Sequence, residues 1–208
     1  MLRVDVHGTL ARHFLLPGLP AFLARYPDIR LHLGEGDRLV DLVREGVDCV
    51  LRVGDLKDSA MIARRVGLLD EVTCASPDYL VSHGSPTTPD DLTAQGHVMI
   101  GFVSSATGAH FPLEFTVGGT LKVVTLPTVL SVTAAETNIA AARLGLGIIQ
   151  IPRYHAQADL DAGRLVEILP DFPPSPTPVS LLYPQARHIP PRVRVFMEWL
   201  TGEFAKAR

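Results

Sequence analysis

Only two cysteines occur, Cys49 in the apolar run DCVLRV and Cys74 in EVTCAS, and no C-x-x-C pair joins them. That excludes a thiolate zinc ribbon and a disulfide framework, and the expectation is two reduced, buried thiols. Lys and Arg form no run long enough to follow a phosphate backbone: Arg64-Arg65 and Arg192-Val193-Arg194 are short, and the formal net charge is -3. Nucleic-acid affinity rests on such cations, so this stretch is not expected to hold DNA by itself. No apolar run reaches the roughly 18 residues of a membrane span. Asp5 and His7 stand where the apolar centre of a secretory signal would run. A cytoplasmic location with no membrane partner is expected.

Catalytic signatures are equally scarce. The sequence contains no G-x-S-x-G and no H-E-x-x-H, its eight histidines are scattered, and neither cysteine neighbours a histidine. Gly34-Glu35-Gly36 ends a strand-like run as a dinucleotide fingerprint would. Leu39, however, takes the third glycine's place, and Glu35 would set a negative charge against a pyrophosphate. No cofactor, no metal and no catalytic residue is therefore expected. The two glycines are read as letting the chain turn tightly beside a cleft, with Asp37 as the following N-cap.

What is present is alternation. With 47% hydrophobic and 20% charged residues the chain has the material for a core. Strand-like runs at Leu2–Val6, Ile29–Leu33 and Asp48–Val53 alternate with helical periodicity at Leu10–Tyr26 and Asp37–Glu45, which predicts a parallel sheet with helical crossovers. Pro17 and Pro20 predict a kink or restart in the first helix, and Gly46 a left-handed cap on the second. Beyond residue 70 follow a strand in DEVTCAS, a helix in PDYLVSHG, a capped turn in TTPDDLTAQG, and strands in HVMIGF, LEFTVGG and GTLKVVTL with a hairpin at Gly118-Gly119. A second strand-helix-strand unit runs through VLSV, AAETNIAAARLG and GIIQIP, with Thr133 and Glu136 read as a capping box. The proline-dense LPDFPPSPTPVSLLYP reads as a stiff connector and one more strand, and a last amphipathic helix turns Val193, Phe196, Met197, Leu200 and Phe204 to one side.

Two corners repeat across these units. His7-Gly8-Thr9 and Thr133-Ala134 each sit where a strand hands over to a helix, so a hydroxyl residue lies beside unpaired helix N–H groups. The loop GFVSSATGAHF adds Ser104, Ser105 and Thr107 at another strand end. Ligands of α/β sheets bind at such ends, which points to a small anionic or polar molecule.

The stretches FLARYPDI, LVREGVDC and AARLGLGIIQIP, in this order and within the longer phrases around them, make the whole chain resemble the effector-binding domain of LysR-type transcriptional regulators. The resemblance implies an α/β, two-lobed, periplasmic-binding-protein-like (type 2) fold with two crossover strands, lobe I being residues 1–75 and 177–208 and lobe II residues 76–176. It implies an effector cleft at Gly8 and Thr9, Gly36, Asp37 and Arg38, Val53 and Gly54, Phe102 with Ser104, Ser105 and Thr107, and Thr133 and Ala134. It implies a homodimer or tetramer, for which Leu19, Phe22 and Leu23 would face Ile139 and Ala142 of a second copy, packing of these residues within their own core being the equal alternative. The family's N-terminal winged helix-turn-helix is absent from this chain, so DNA would be reached only through that further domain. A solute-binding protein of a transport system shares the fold, and a small enzyme using the same cleft is the third reading. The first would need an export signal, and the second a nucleophile-base pair or a carboxylate dyad at the corners.

Overall fold

Leu2, Val4 and Val6 alternate with Arg3 and Asp5, and this period of two makes β1 (Leu2–Val6), with the three apolar side chains buried. The computed structural model describes residues 1–36, 46–54, 61–105, 107–185 and 189–206. The chain divides into two compact units, Met1–Leu68 with Thr177–Arg208, and Leu69–Pro176.

In the first unit β1 pairs in parallel with both β2 (Leu31–Glu35) and β3 (Cys49–Val53). The order is completed as β2-β1-β3-β12-β4, with β4 at Met61–Leu69 and β12 (Thr177–Pro184) antiparallel to β3. Parallel neighbours need a crossover, supplied between β1 and β2 by α1 (Gly8–Leu10), a π-helical turn (Ala11–Leu15) and α2 (Leu19–Arg25). Pro17 has no N–H to donate into a regular helical ladder. The Leu16 N–H reaches back five residues to the Ala11 carbonyl at 2.9 Å, and the helix restarts with Pro20 in its first turn, as the prolines predict. The helix expected over 37–45 lies outside the described residues, while Gly46 has the positive φ, 63°, expected of its cap. α7 (Pro191–Lys206) buries its predicted stripe: Val193, Phe196, Met197, Leu200 and Phe204 all lie in the core. Phe204 stacks on Phe14 at 4.3 Å between ring centroids, and Phe22 meets Phe196 edge-on at 5.8 Å and Trp199 at 4.6 Å.

The second unit repeats the strand order. β6 (Met99–Phe102) pairs in parallel with β9 (Thr128–Val132), and a parallel bridge from Met99 to Ile148 joins it to β10 (Ile149–Pro152). β5 (Glu71–Ala75) lies antiparallel to β10 and to β11 (Val166–Glu167), so the order is β9-β6-β10-β5-β11. These hydrogen bonds hold 71–75 in the second unit, which begins at Leu69, where the boundary drawn from the sequence at residue 75 assigns them to the first.

Alternate residues of these strands feed opposite faces. Val72, Cys74, Ile100, Ile149 and Ile151 pack with Ile139 and Ala142 of α5 (Ala135–Arg143) and Ala156 of α6 (Arg153–Asp161). Ala75, Met99 and Ile148 pack with Tyr79 of α3 (Pro77–His83), Leu92 of α4 (Pro89–Ala94) and Phe115 of the hairpin β7 (Leu113–Val117) and β8 (Thr120–Val124). The hairpin turns on Gly118 and Gly119, both at positive φ (56° and 80°), as expected for a primed two-residue turn. α6, β4 and β11 have no counterpart in the sequence reading.

The caps correct one expectation. Thr88 and Asp91 form a reciprocal capping box on α4, and the Ser76 hydroxyl accepts from the Tyr79 N–H at 3.2 Å to cap α3. Thr133 and Glu136 do not form one, because α5 starts a residue later: Ala134 is its N-cap, with no side-chain cap bond.

Both thiols are buried, and burial first, then nearby acids, pushes each up to about 12: Asp48 beside Cys49, and Glu167 and Asp159 near Cys74. The thiolate is the reactive form, so neither cysteine is expected to react with Ellman's reagent at pH 8 in the native protein, and both are expected to react in urea. Rapid labelling of folded protein would contradict this burial.

Candidate functional site

The carboxyl ends of the parallel strands collect polar groups in both units. In the first, register sets Val6 beside Glu35 and Leu51, so the turn after β1, the end of β2 and the end of β3 are neighbours. Gly8, Thr9, Gly36, Val53 and Gly54 are thereby brought to one edge. Thr9 is 7% exposed, and its Oγ1 shares a 2.8 Å hydrogen bond with His7 Nδ1; His7 is the N-cap residue of α1 but caps no N–H with its side chain. Val53 is exposed, and Gly54, at φ 93°, donates to the Pro178 carbonyl at 2.9 Å. Asp37 and Arg38 lie outside the described residues.

Sequence reasoning missed the charges at this edge. Asp5 and Arg52 form a nearly dry pair, Arg52 Nη2 donating to Asp5 Oδ1 at 2.6 Å with side chains 16% and 9% exposed. Arg52 Nη1 also donates to the Leu51 carbonyl. A side chain on Gly34 would come within 3.1 Å of Asp5 Oδ2, and one on Gly36 within 3.7 Å. Gly34 is thus a strand residue that leaves room for the Asp5 carboxylate, not the pivot of a tight turn. At the corner itself Arg12 Nη1 lies 3.5 Å from Glu35 Oε2, and a Cβ on Gly8 would meet that same oxygen at 2.5 Å. The available signal is positional: Glu35 ends β2, and Asp5 and Arg52 each lie one residue from the end of a parallel strand.

In the second unit the ends of β6 and β9 are held together, Phe102 opposite Val132, with the Val103 N–H donating to the Val132 carbonyl at 2.8 Å. This brings Phe102 and the loop after it beside Thr133 and Ala134, both exposed. Ser104 is 8% exposed and closes the loop, its N–H donating to the Ala109 carbonyl and its carbonyl accepting from Gly108, each at 2.8 Å. Ser105 and Thr107 are exposed, and Thr107 Oγ1 accepts from the Ala109 N–H at 3.3 Å, a local turn bond. His110 and Ser131 were not foreseen: Nε2 and Oγ share a 2.8 Å hydrogen bond across the two strand ends. Gly101 permits it, since a Cβ there would press within 2.8 Å of the His110 ring and the Thr128 methyl. Among the described residues no group of three or more His, Cys, Asp or Glu is placed to hold a metal ion.

The proposed contact residues between copies fare differently. Phe22, Ile139 and Ala142 are 2%, 3% and 0% exposed, spent on the cores of their own units, and have no surface to offer a second copy. Leu19 and Leu23 are half-buried.

Two α/β units of one strand order, each with a small, polar loop edge at the ends of its parallel strands, define a two-lobed ligand-binding class of protein. The family model described as LysR substrate binding domain matches residues 1–205, and the chain belongs to that family, the effector-binding domains of LysR-type transcriptional regulators, with its type 2 periplasmic-binding-protein-like fold. It is 43% identical over 203 residues to the uncharacterised HTH-type transcriptional regulator YhjC of Escherichia coli, covering 97% of this chain and 67% of that protein. To an HTH-type transcriptional repressor of Pseudomonas aeruginosa it is 36% identical over 205 residues, 99% of this chain and 64% of the other. The full-length structure of AphB, a virulence activator of Vibrio cholerae and a member of the same family, superposes with a TM-score of 0.78 at 29% identity over 97% of this chain and 67% of AphB. The chain thus spans about two thirds of the length of these relatives. Their kinship with regulators does not favour the transport reading.

Proposed function

We propose that this chain is a non-catalytic sensor that binds a small polar or anionic effector through residues gathered at the ends of its parallel strands. The single observation that carries the reading is the repetition of one strand order with Gly8-Thr9 at the corner of one unit and Thr133-Ala134 at that of the other. Gly36, Val53 and Gly54, and Phe102, Ser104, Ser105 and Thr107, complete the two edges. An effector shifts the balance between two arrangements of a protein only by its difference in affinity for them, so tight binding alone gives no response. The response passes, on this proposal, to a helix-turn-helix domain of the kind the relatives' names record, in a cytoplasmic homodimer or tetramer. Apolar side chains next to the crossover helices are open for that assembly: Leu144 is 77% exposed, Leu16 47% and Leu146 42%. Among the described residues no helix is long and apolar enough to cross a membrane.

The test is a thermal-shift and calorimetric screen of small carboxylates and aromatic acids, repeated with Thr9→Val and Thr133→Val. At least one acid is expected to raise Tm, and each valine variant to weaken its binding about tenfold or more, from the ~1.5–3 kcal/mol of a hydrogen bond to a charged group, while the fold is retained. A screen with no hit, or valine variants that bind as the parent does, sinks the reading.

A further inference from the structure

We infer that the Glu35 carboxylate is an internal occupant of the corner an effector acid enters, so that binding is an exchange in which the acid takes Glu35's place beside Arg12; the inference rests on the sensor reading above. Three observations converge on that point. Glu35 Oε2 fills the place where any residue but glycine at position 8 would put its Cβ, 2.5 Å away, and both terminal nitrogens of Arg12 lie 3.4 Å from the same place. The corner therefore already holds a carboxylate oxygen, the chain's own. The pair is also loose: Arg12 Nη1 and Glu35 Oε2 are 3.5 Å apart with side chains 52% and 53% exposed. Half-solvated pairs of this kind shift an equilibrium by only about two- to fivefold, so an incoming acid can displace one. Asp5, the other carboxylate of this edge among the described residues, is not exchangeable in this way, because Arg52 grips it at 2.6 Å out of water.

An internal competitor lowers apparent affinity by the fraction of time it occupies the site, which gives Glu35 the role of setting the effector threshold. Acetate titration of the isotopically labelled whole chain, read at the Gly8 and Thr9 amides by NMR, tests this with Glu35→Gln and Glu35→Asp. Glu35→Asp keeps the charge but retracts it by one methylene. Both variants are expected to bind acetate about two- to fivefold more tightly than the parent, with acetamide unaffected. If Glu35→Asp binds acetate no more tightly than the parent, whatever Glu35→Gln does, the exchange is overturned while the sensor reading stands. If no saturable acetate shift occurs at Gly8 or Thr9 in any of the three proteins, the exchange falls together with the acid-binding role of this corner.

Discussion

Replacing Arg143 and Arg164 together by alanine is expected to lower the unfolding free energy of the second unit by about 3–5 kcal/mol. Both guanidinium groups converge on Asp159, which is 1% exposed: Arg143 Nη2 donates to Oδ2, and Arg164 Nε to Oδ1 at 2.5 Å. The Asp159 backbone carbonyl also accepts from the Arg164 and Leu165 N–H groups at 2.9 and 3.2 Å, so this residue pins the end of α6 and the following turn as well as α5. Burial alone would raise the Asp159 pKa, but the hydrogen bonds from Arg143 and Arg164 outweigh it and hold the carboxyl below its ordinary 3.8. Removing both cations leaves a buried, uncompensated charge. Removing the carboxylate is milder: in Asp159→Asn the arginines, 42% and 53% exposed, turn to water, and the loss is expected near the 1.5–3 kcal/mol of a charged hydrogen bond, about half as much. The sign with pH follows from the depressed value. The parent's stabilisation is full above the unfolded pKa and vanishes as pH falls through its lower folded one; in the double variant burial alone acts and raises the carboxyl, which takes up its proton first, so the gap narrows as the variant's Asp159 protonates and closes fully only below the parent's folded pKa. Urea unfolding of the parent, both single arginine variants and the double variant, at pH 7 and at pH 3, measures all of this. A double variant as stable as the parent at pH 7 would contradict the burial of Asp159.

Phe196→Ala is expected to cost the first unit about 3–5 kcal/mol, the range for deleting a buried aromatic ring. Phe196 is 0% exposed and stands where α7 meets the crossover helix, touching Phe22 edge-on at 5.8 Å and Trp199 at 5.4 Å. Its loss removes the transfer energy of the ring and leaves a space that α2 and α7 close only by shifting against each other. Trp199 is the single tryptophan and packs on Phe22 at 4.6 Å, so its fluorescence reads the unfolding of this unit directly. Phe196→Leu, which keeps most of the volume, is expected to restore most of the stability. A Phe196→Ala midpoint in urea equal to the parent's would mean that α7 does not bury its stripe.

Local chemistry was legible wherever one segment carries it alone. The alternation in Leu2–Val6, the Pro17 break, the Gly118-Gly119 turn, the capped turn in TTPDDLTAQG and the apolar stripe of α7 each depend on neighbours a few residues away, and each stands in the structure where its pattern predicts. The Thr133 cap failed for a related reason: the motif allowed two starting points one residue apart, and only the handover from β9 decides between them.

The amino-acid order by itself determined which residues are apolar, where helices and strands alternate and which strand ends carry small or hydroxyl residues, because these are properties of short stretches of chain. What covers a face, and which charges meet, was decided by the tertiary structure alone. Phe22, Ile139 and Ala142 suit an interface and a core equally by their sequence pattern, and α7, α6 and the sheets bury them. Asp5 found Arg52, 47 residues away, and Glu35 found Gly8 and Arg12, because parallel pairing sets the ends of β1, β2 and β3 side by side. Register joins positions far apart in the chain, and no local pattern records it.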